Sequence, residues 1–251
     1  MSDARRAAVV TGGASGIGLE IVRHLADEGM GVVAVDRSAD ACARARESLA
    51  AVMDRVRIVA ADIGTPEGAA AGIDAAIQSF GRIDLLCNNA AVHPSETIEA
   101  HDLTTWREAF RVNVDGTMLC SQAALRHMKQ RKSGAIVNIG SISGHAPYAG
   151  GGAYAASKAA IAMLTRVLAL EAGPYGVTVN CIAPGTIRHR PGSESEPAPT
   201  HIPIGRAGTP ADVARLVSYL ASDAAGYISG ATITVDGGAT AGRPRVGKAQ
   251  S

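Results

Sequence analysis

Ala7-Ala8-Val9-Val10, running into Thr11-Gly12-Gly13-Ala14-Ser15-Gly16-Ile17-Gly18, is a short apolar run of strand type that empties into a glycine-rich turn. A helical pattern follows in Leu19, Ile21, Val22, Leu25 and Ala26 and ends near Gly29. Strand, glycine turn and helix in that order aim free backbone N–H groups and the positive end of a helix dipole at one point, where a pyrophosphate fits. In this reading Gly12 allows the tight turn, Gly16 lets the backbone approach the phosphates, and Gly18 lets the helix pack closely on the strand. Ser15 and Ile17 flank Gly16 and share its place at the phosphates. A second strand-like run, Gly31 to Val35, ends at Asp36. A carboxylate there accepts hydrogen bonds from both hydroxyls of an adenosine ribose and repels a 2′-phosphate, so NAD is the expected cofactor. Arg37 is the one neighbouring feature that would tolerate NADP.

Outward from this start, strand-like and helix-like patterns alternate along the chain. Strands are expected at 7–10, 31–35, 56–60, 84–88, 135–139, 177–182 and 232–235. Helices are expected at 17–28, 40–52, 66–80, 104–131 (two, or one with a break), 152–172 and 210–222. Apolar strands separated by helices imply an α/β fold: a doubly wound, parallel, seven-stranded sheet of Rossmann type with helices on both faces. With no long linker, repeat or low-complexity block, residues 1–251 read as one domain. The Pro-, Ser- and charge-rich segment 188–203 follows a strand on the ligand side of such sheets and reads as a substrate loop, either a lid or a plain surface loop. The tail 242–251 reads as a frayed terminus.

Composition narrows the function. Hydrophobic residues make up 47% of the 251, enough for a sizeable core, while aromatics at 3% leave that core to Ala, Val, Ile and Leu. A formal net charge of +1 with interspersed signs gives no electrostatic case for nucleic acid. No apolar run approaching the ~20 residues of a membrane span and no signal-peptide core are apparent. Cys42, Cys87, Cys120 and Cys181 are far apart and the seven histidines form no ligand pair, so a reduced, metal-free, cytoplasmic protein is the expectation.

Chemistry concentrates at Tyr154-Ala155-Ala156-Ser157-Lys158, with Ser141 upstream. Tyrosine and lysine four apart share one helix face, and a nearby ammonium lowers a phenol pKa that is normally about 10. A phenol so tuned trades protons with an alcohol or ketone, and a serine hydroxyl beside it holds the same oxygen. Ser143, His93, His145 and Tyr148 lie close to this set in chain order and are candidate substrate contacts.

Together these motifs resemble the short-chain dehydrogenase/reductase family, in its single-domain branch, from Ala7 to Gly238. The resemblance implies an oxidoreductase that passes hydride between NAD(H) and a secondary alcohol or ketone. Asn113, in Asn113-Val114-Asp115-Gly116, would complete a catalytic tetrad with Ser141, Tyr154 and Lys158, bending its helix and holding a water for proton relay. It further implies adenine contacts from Asp62 and Ile63, and adenosine contacts from Asn89 and Ala90 of Asn88-Asn89-Ala90. Val179-Asn180, Pro184, Gly185 and Ile187 would fall along the nicotinamide, and Val235-Asp236-Gly237-Gly238 would close the last strand. Ala91 and His189 depart from the family pattern. Relatives commonly form tetramers, so a homotetramer pairing the helices at 104–131 and 152–172 is implied.

Overall fold

Ala7–Thr11 forms strand β1, and all five of its residues are buried. A strand covered on both faces needs no polar alternation, which is why this one reads as an unbroken apolar run. Likewise, all residues but at most one are buried in each of β2 (Gly31–Asp36), β4 (Leu85–Asn88), β5 (Gly134–Ile139) and β6 (Val177–Pro184). The edge strands β3 (Val56–Ala60) and β7 (Thr232–Val235) are less buried. This computed structural model describes residues 5–188 and 199–242. Most of the expected substrate loop and tail, with His189, lies outside them.

The seven strands form one parallel sheet in the order β3-β2-β1-β4-β5-β6-β7. Alternate residues feed opposite faces. Ala8, Val10, Val32, Ala34, Leu85 and Cys87 pack beneath α1 (Gly16–Asp27) and α7 (Pro210–Ala221) through Ile21, Leu25, Val213 and Val217. Val9, Val33, Leu86 and Ile136 meet α3 (Pro66–Phe80), α5 (Gly116–Arg131) and α6 (Gly152–Ala172) through Ile73, Met128 and Leu168. The expected doubly wound fold is the observed one.

One helix differs from expectation, and another divides as expected. The helix expected at 40–52 is α2 (Ala39–Ser48) followed by a 3-10 turn at Ala50–Val52, because Leu49 turns into the core and is 1% exposed. The segment at 104–131 is α4 (Leu103–Phe110), a π-helical turn at Arg111–Asp115, and α5. Gly152–Tyr175 also contains an 18-residue window of mean hydropathy 1.3, longer and more apolar than anything expected from the sequence. That helix is nevertheless a cover for the sheet: Ile161, Thr165, Leu168 and Ala172 are buried against it.

A buried polar chain sets the rotation of α5 and α6. Asn88 Nδ2 on β4 donates to Ser121 Oγ (3.1 Å) and to Asn138 Oδ1 on β5 (2.9 Å), and Asn138 Nδ2 donates to Thr165 Oγ1 on α6 (2.9 Å). At the opposite, amino end of the sheet, the buried Asp84 accepts from Ala7 N (2.8 Å) and forks with Arg82 (2.7 and 2.6 Å). Asp84→Ala strands that amide and guanidinium, so it is expected to cost about 3 kcal/mol in urea unfolding. Because Asp84 sits at the end of the sheet away from the ligand cleft, turnover per folded molecule is expected to stay unchanged.

Candidate active site

The strand order reverses between β1 and β4, and a cleft of about 890 Å³ opens there at the carboxyl ends of the strands. Its floor is a stitched joint. Thr11 Oγ1 accepts from the backbone N of Asn89 (3.0 Å) and Ala90 (3.1 Å), while Asn89 Nδ2 donates to the carbonyls of Thr11 (3.0 Å) and Gly12 (3.2 Å). The Asn89 amide, expected at the cofactor, is thus occupied in holding the glycine turn to β4. Gly12 has φ +62°, and a Cβ on Gly18 would lie 2.0 Å from the Gly12 carbonyl oxygen, so α1 begins directly on the turn. Ser15 caps α1 without any side-chain bond to its N–H groups, and Ser15, Gly16 and Ile17 line the cleft. Asp36 ends β2 at the cleft wall, its carboxylate accepting from Ser38 N (3.1 Å) and Ala14 N (3.4 Å). Asp62, Ile63 and Ala90 line the same end.

At the other end, Ser141 follows β5 and its Oγ accepts from Ser143 N (3.1 Å), opening a 3-10 turn at Ile142–Gly144. A Cβ at Gly144 would sit 3.0 Å from the Ala159 nitrogen, so this turn rests on the α6 backbone beside Lys158. That contact sets Ser141 against Tyr154 and Lys158, and all three line the cleft. Lys158, 3% exposed, donates from Nζ to the Ile139 carbonyl (2.7 Å) and lies 5.6 Å from the centre of the Tyr154 ring.

The electrostatics differ from the expected tuning. Burial raises the Tyr154 phenol above its ordinary value, and the Ser141 hydroxyl opposes that only in part. Lys158 does not offset it in this ligand-free state, where its ammonium is turned to a carbonyl. Burial instead lowers Lys158 itself to about 8. Desolvation favours the neutral form of both groups.

Asn113 lies within the π-turn and is fully buried. Its Oδ1 accepts from Val92 N (2.8 Å), and its Nδ2 donates to Val92 O (3.0 Å) and to Ser157 Oγ (2.9 Å). Ser157 Oγ in turn donates to the Tyr154 carbonyl (2.7 Å). The side chain therefore fastens the segment after β4 to the helix that carries Tyr154 and Lys158. The local helix bend expected of Asn113 is present as that π-turn.

Of the candidate substrate contacts, three gather at this end. The His93 ring sits 4.0 Å from that of Tyr154, and its Nε2 shares a 2.5 Å hydrogen bond with the Tyr148 hydroxyl. Burial, and after it the Lys158 charge, holds the imidazole below its usual value and neutral at pH 7. Ser143 lines the cleft as well. His145 does not: it follows the 3-10 turn and stays exposed outside the cleft. Pro184, Gly185 and Ile187 line the cleft, whereas Val179 is buried away from it and Asn180 donates to the Ile228 carbonyl (2.7 Å) and accepts from Ala231 N (3.1 Å). His201, in the described end of the segment expected as a substrate loop, lines the cleft, and so does Thr240, which was not anticipated because it arrives from a distant segment with no local motif.

A lysine whose folded pKa is depressed costs stability while the unfolded chain holds the extra proton, so the penalty is full below about pH 8 and vanishes above the unfolded value of about 10.4. Lys158→Met is therefore expected to stabilise the ligand-free protein by about 2 kcal/mol at pH 7, a gain that fades as pH rises from 8 toward 10.4. Thermal unfolding of both proteins across that pH range measures it.

The short chain dehydrogenase family description matches residues 6–197. The chain is 39% identical over 246 residues to cis-4-hydroxycyclohexanecarboxylate dehydrogenase of Sinomonas cyclohexanicum, covering 95% of this chain and 98% of that one. Among solved structures it resembles acetoin dehydrogenase YohF from Salmonella typhimurium, at 36% identity and a TM-score of 0.85, over 96% of this chain and 99% of that one. It also resembles ElxO, solved with NADP bound, at 26% identity and a TM-score of 0.87, over 95% and 99%. With family match, sequence relatives and sheet order in agreement, this chain belongs to the short-chain dehydrogenase/reductase family, oxidoreductases acting on alcohols and ketones.

Proposed function

We propose that the protein transfers hydride between NAD(H) and a secondary alcohol or ketone, binding and catalysis sharing one domain. The observation that carries this reading is the convergence of Ser141, Tyr154 and Lys158 on the wall of a cleft whose far end holds the glycine turn and Asp36. The residues present fit a dinucleotide. The uncapped N–H groups of α1 and the positive φ of Gly12 and Gly16 make a cradle for a pyrophosphate. Asp36 suits two ribose hydroxyls and opposes a 2′-phosphate. Bound nicotinamide supplies the hydride acceptor or donor.

Within that frame the chain's own groups handle the oxygen and the proton. The Ser141 hydroxyl holds the substrate oxygen, and Tyr154 takes the hydroxyl proton as phenolate in oxidation or gives it as phenol in reduction. Because burial keeps the phenol protonated, positive charge must come closer than the Lys158 ammonium lies in the ligand-free protein. Lys158, released from the Ile139 carbonyl, is the group able to bring it. Asn113 holds α6 in position for this, and His93, Tyr148 and Ser143 flank the substrate. The dehydrogenase names of the relatives support a hydroxy-compound substrate.

A homo-oligomer suits the exposed Met163, Val167 and Leu170 of α6 and Leu103 of α4, an apolar face on the helices expected to pair. Four free, buried cysteines suit a reducing cytoplasm.

Tyr154→Phe is expected to lose about 10²–10⁴-fold in turnover on an alcohol panel while keeping cofactor affinity. Normal turnover would overturn the mechanism. Fluorescence titration is expected to give tight NADH and weak NADPH for the wild type, with the preference lost in Asp36→Ala. A wild type preferring NADPH, the reduced form of the NADP bound in ElxO, would make it an NADPH-dependent ketoreductase.

A further inference from the structure

Arg37 and Lys158 are the Lys/Arg side chains among the described residues that line the cleft, and Arg37 stands next to Asp36 at the adenosine end. A guanidinium there is well suited to grip a 2′-phosphate, which takes a bidentate cation readily. The structure engages it elsewhere. Arg37 Nη1 donates to Glu108 Oε1 on α4 (3.0 Å). Glu108 is held in turn by Arg111, through Nε to Oε2 (2.7 Å) and Nη2 to Oε1 (3.0 Å). Arg111 also reaches Asp62 Oδ2 (2.8 Å), and Asp62 Oδ1 accepts from Gly64 N (2.9 Å).

The arrangement is more than a chance surface pair. Arg111 opens the π-turn, and its guanidinium lies so close over Gly64 that a Cβ there would be 2.0 Å from Nη1. Arg111 fixes the Glu108 carboxylate at one end of the network, and Arg37 is the arm that carboxylate holds. The hydrogen bonds from Arg111 keep both Glu108 and Asp62 below the usual carboxylate range, so both stay anionic at neutral pH.

We propose that Glu108 is a positioning residue for cofactor selectivity: it keeps the Arg37 guanidinium from serving a 2′-phosphate, so that selectivity for NADH is set by two carboxylates, Asp36 directly and Glu108 through Arg37. The inference rests on the NAD reading above and assigns a part of it to a side chain outside the cleft lining. It accounts for an arginine beside the ribose site of a protein read as NAD-selective. An exposed ion pair alone holds weakly, which sets the size of the effect.

The test is fluorescence titration of NADH and NADPH against wild type, Asp36→Ala, Asp36→Ala/Glu108→Ala and Asp36→Ala/Glu108→Ala/Arg37→Ala. Adding Glu108→Ala to Asp36→Ala is expected to tighten NADPH about three- to ten-fold and leave NADH unchanged. Adding Arg37→Ala is expected to remove that gain. A purely structural role for Glu108 would weaken both cofactors together. Equal NADPH affinity with and without Glu108, or a gain that survives Arg37→Ala, overturns the proposal. The NAD reading is judged separately by the wild type: NADH preference with no Glu108 effect sinks this inference alone, and wild-type NADPH preference sinks both. Should the alanine variant fold poorly, Glu108→Gln keeps the side-chain shape, removes the charge and is held to the same outcomes.

Discussion

The joint between Thr11, Gly12 and Asn89 is the constraint on which the site depends. Two neighbouring strands whose connections leave in opposite directions create a crevice, and something must hold its lips at fixed separation. Here a threonine hydroxyl accepts two backbone N–H groups and an asparagine amide returns two bonds to the facing carbonyls. With the lips tied, α1 starts on the turn itself, Asp36 falls at one end of the crevice and β5 presents Ser141 at the other. A looser joint would leave the same residues present and their spacing undefined.

At the reactive end, the governing balance is between desolvation and charge. The protein buries an ammonium and half-buries a phenol near it, which disfavours charge on each. Tyr154 is thereby held protonated, and Lys158 is brought down toward the neutral range. A site in this condition responds strongly to any charge brought into it, because little solvent is present to screen the change. Asn113 contributes as a fastener, joining Val92 to Ser157 and so fixing the helix that carries both titrating groups.

The sheet was legible because runs such as Gly31 to Val35 are buried on both faces and admit few alternatives. The glycine turn and the Tyr154–Lys158 spacing were legible because each is a local pattern with a local mechanical reason. What escaped has a common physical cause. Thr240 reaches the cleft across the fold, and the Glu108–Arg111–Asp62 network joins separate segments, so no window of sequence contains either. His145 misled because proximity in chain order ignores the 3-10 turn before it. The phenol was misjudged because sequence displays a neighbouring charge but conceals the burial that outweighs it.

The π-turn at Arg111–Asp115 binds two matters that otherwise have nothing in common. One end of those five residues supplies the arginine that organises the charges beside Asp62; its middle supplies the asparagine that braces the helix carrying Tyr154 and Lys158. Such a turn is in effect a single-residue insertion accommodated within a helix. Removing one residue to restore a regular helix would swing α5 by about 100° relative to α4, a single-residue step at 3.6 residues per turn, and unhook both functions at once. In the proposed reading, cofactor choice and the bracing of the Tyr154 helix are therefore coupled through one turn, open to change by substitution and closed to change in length.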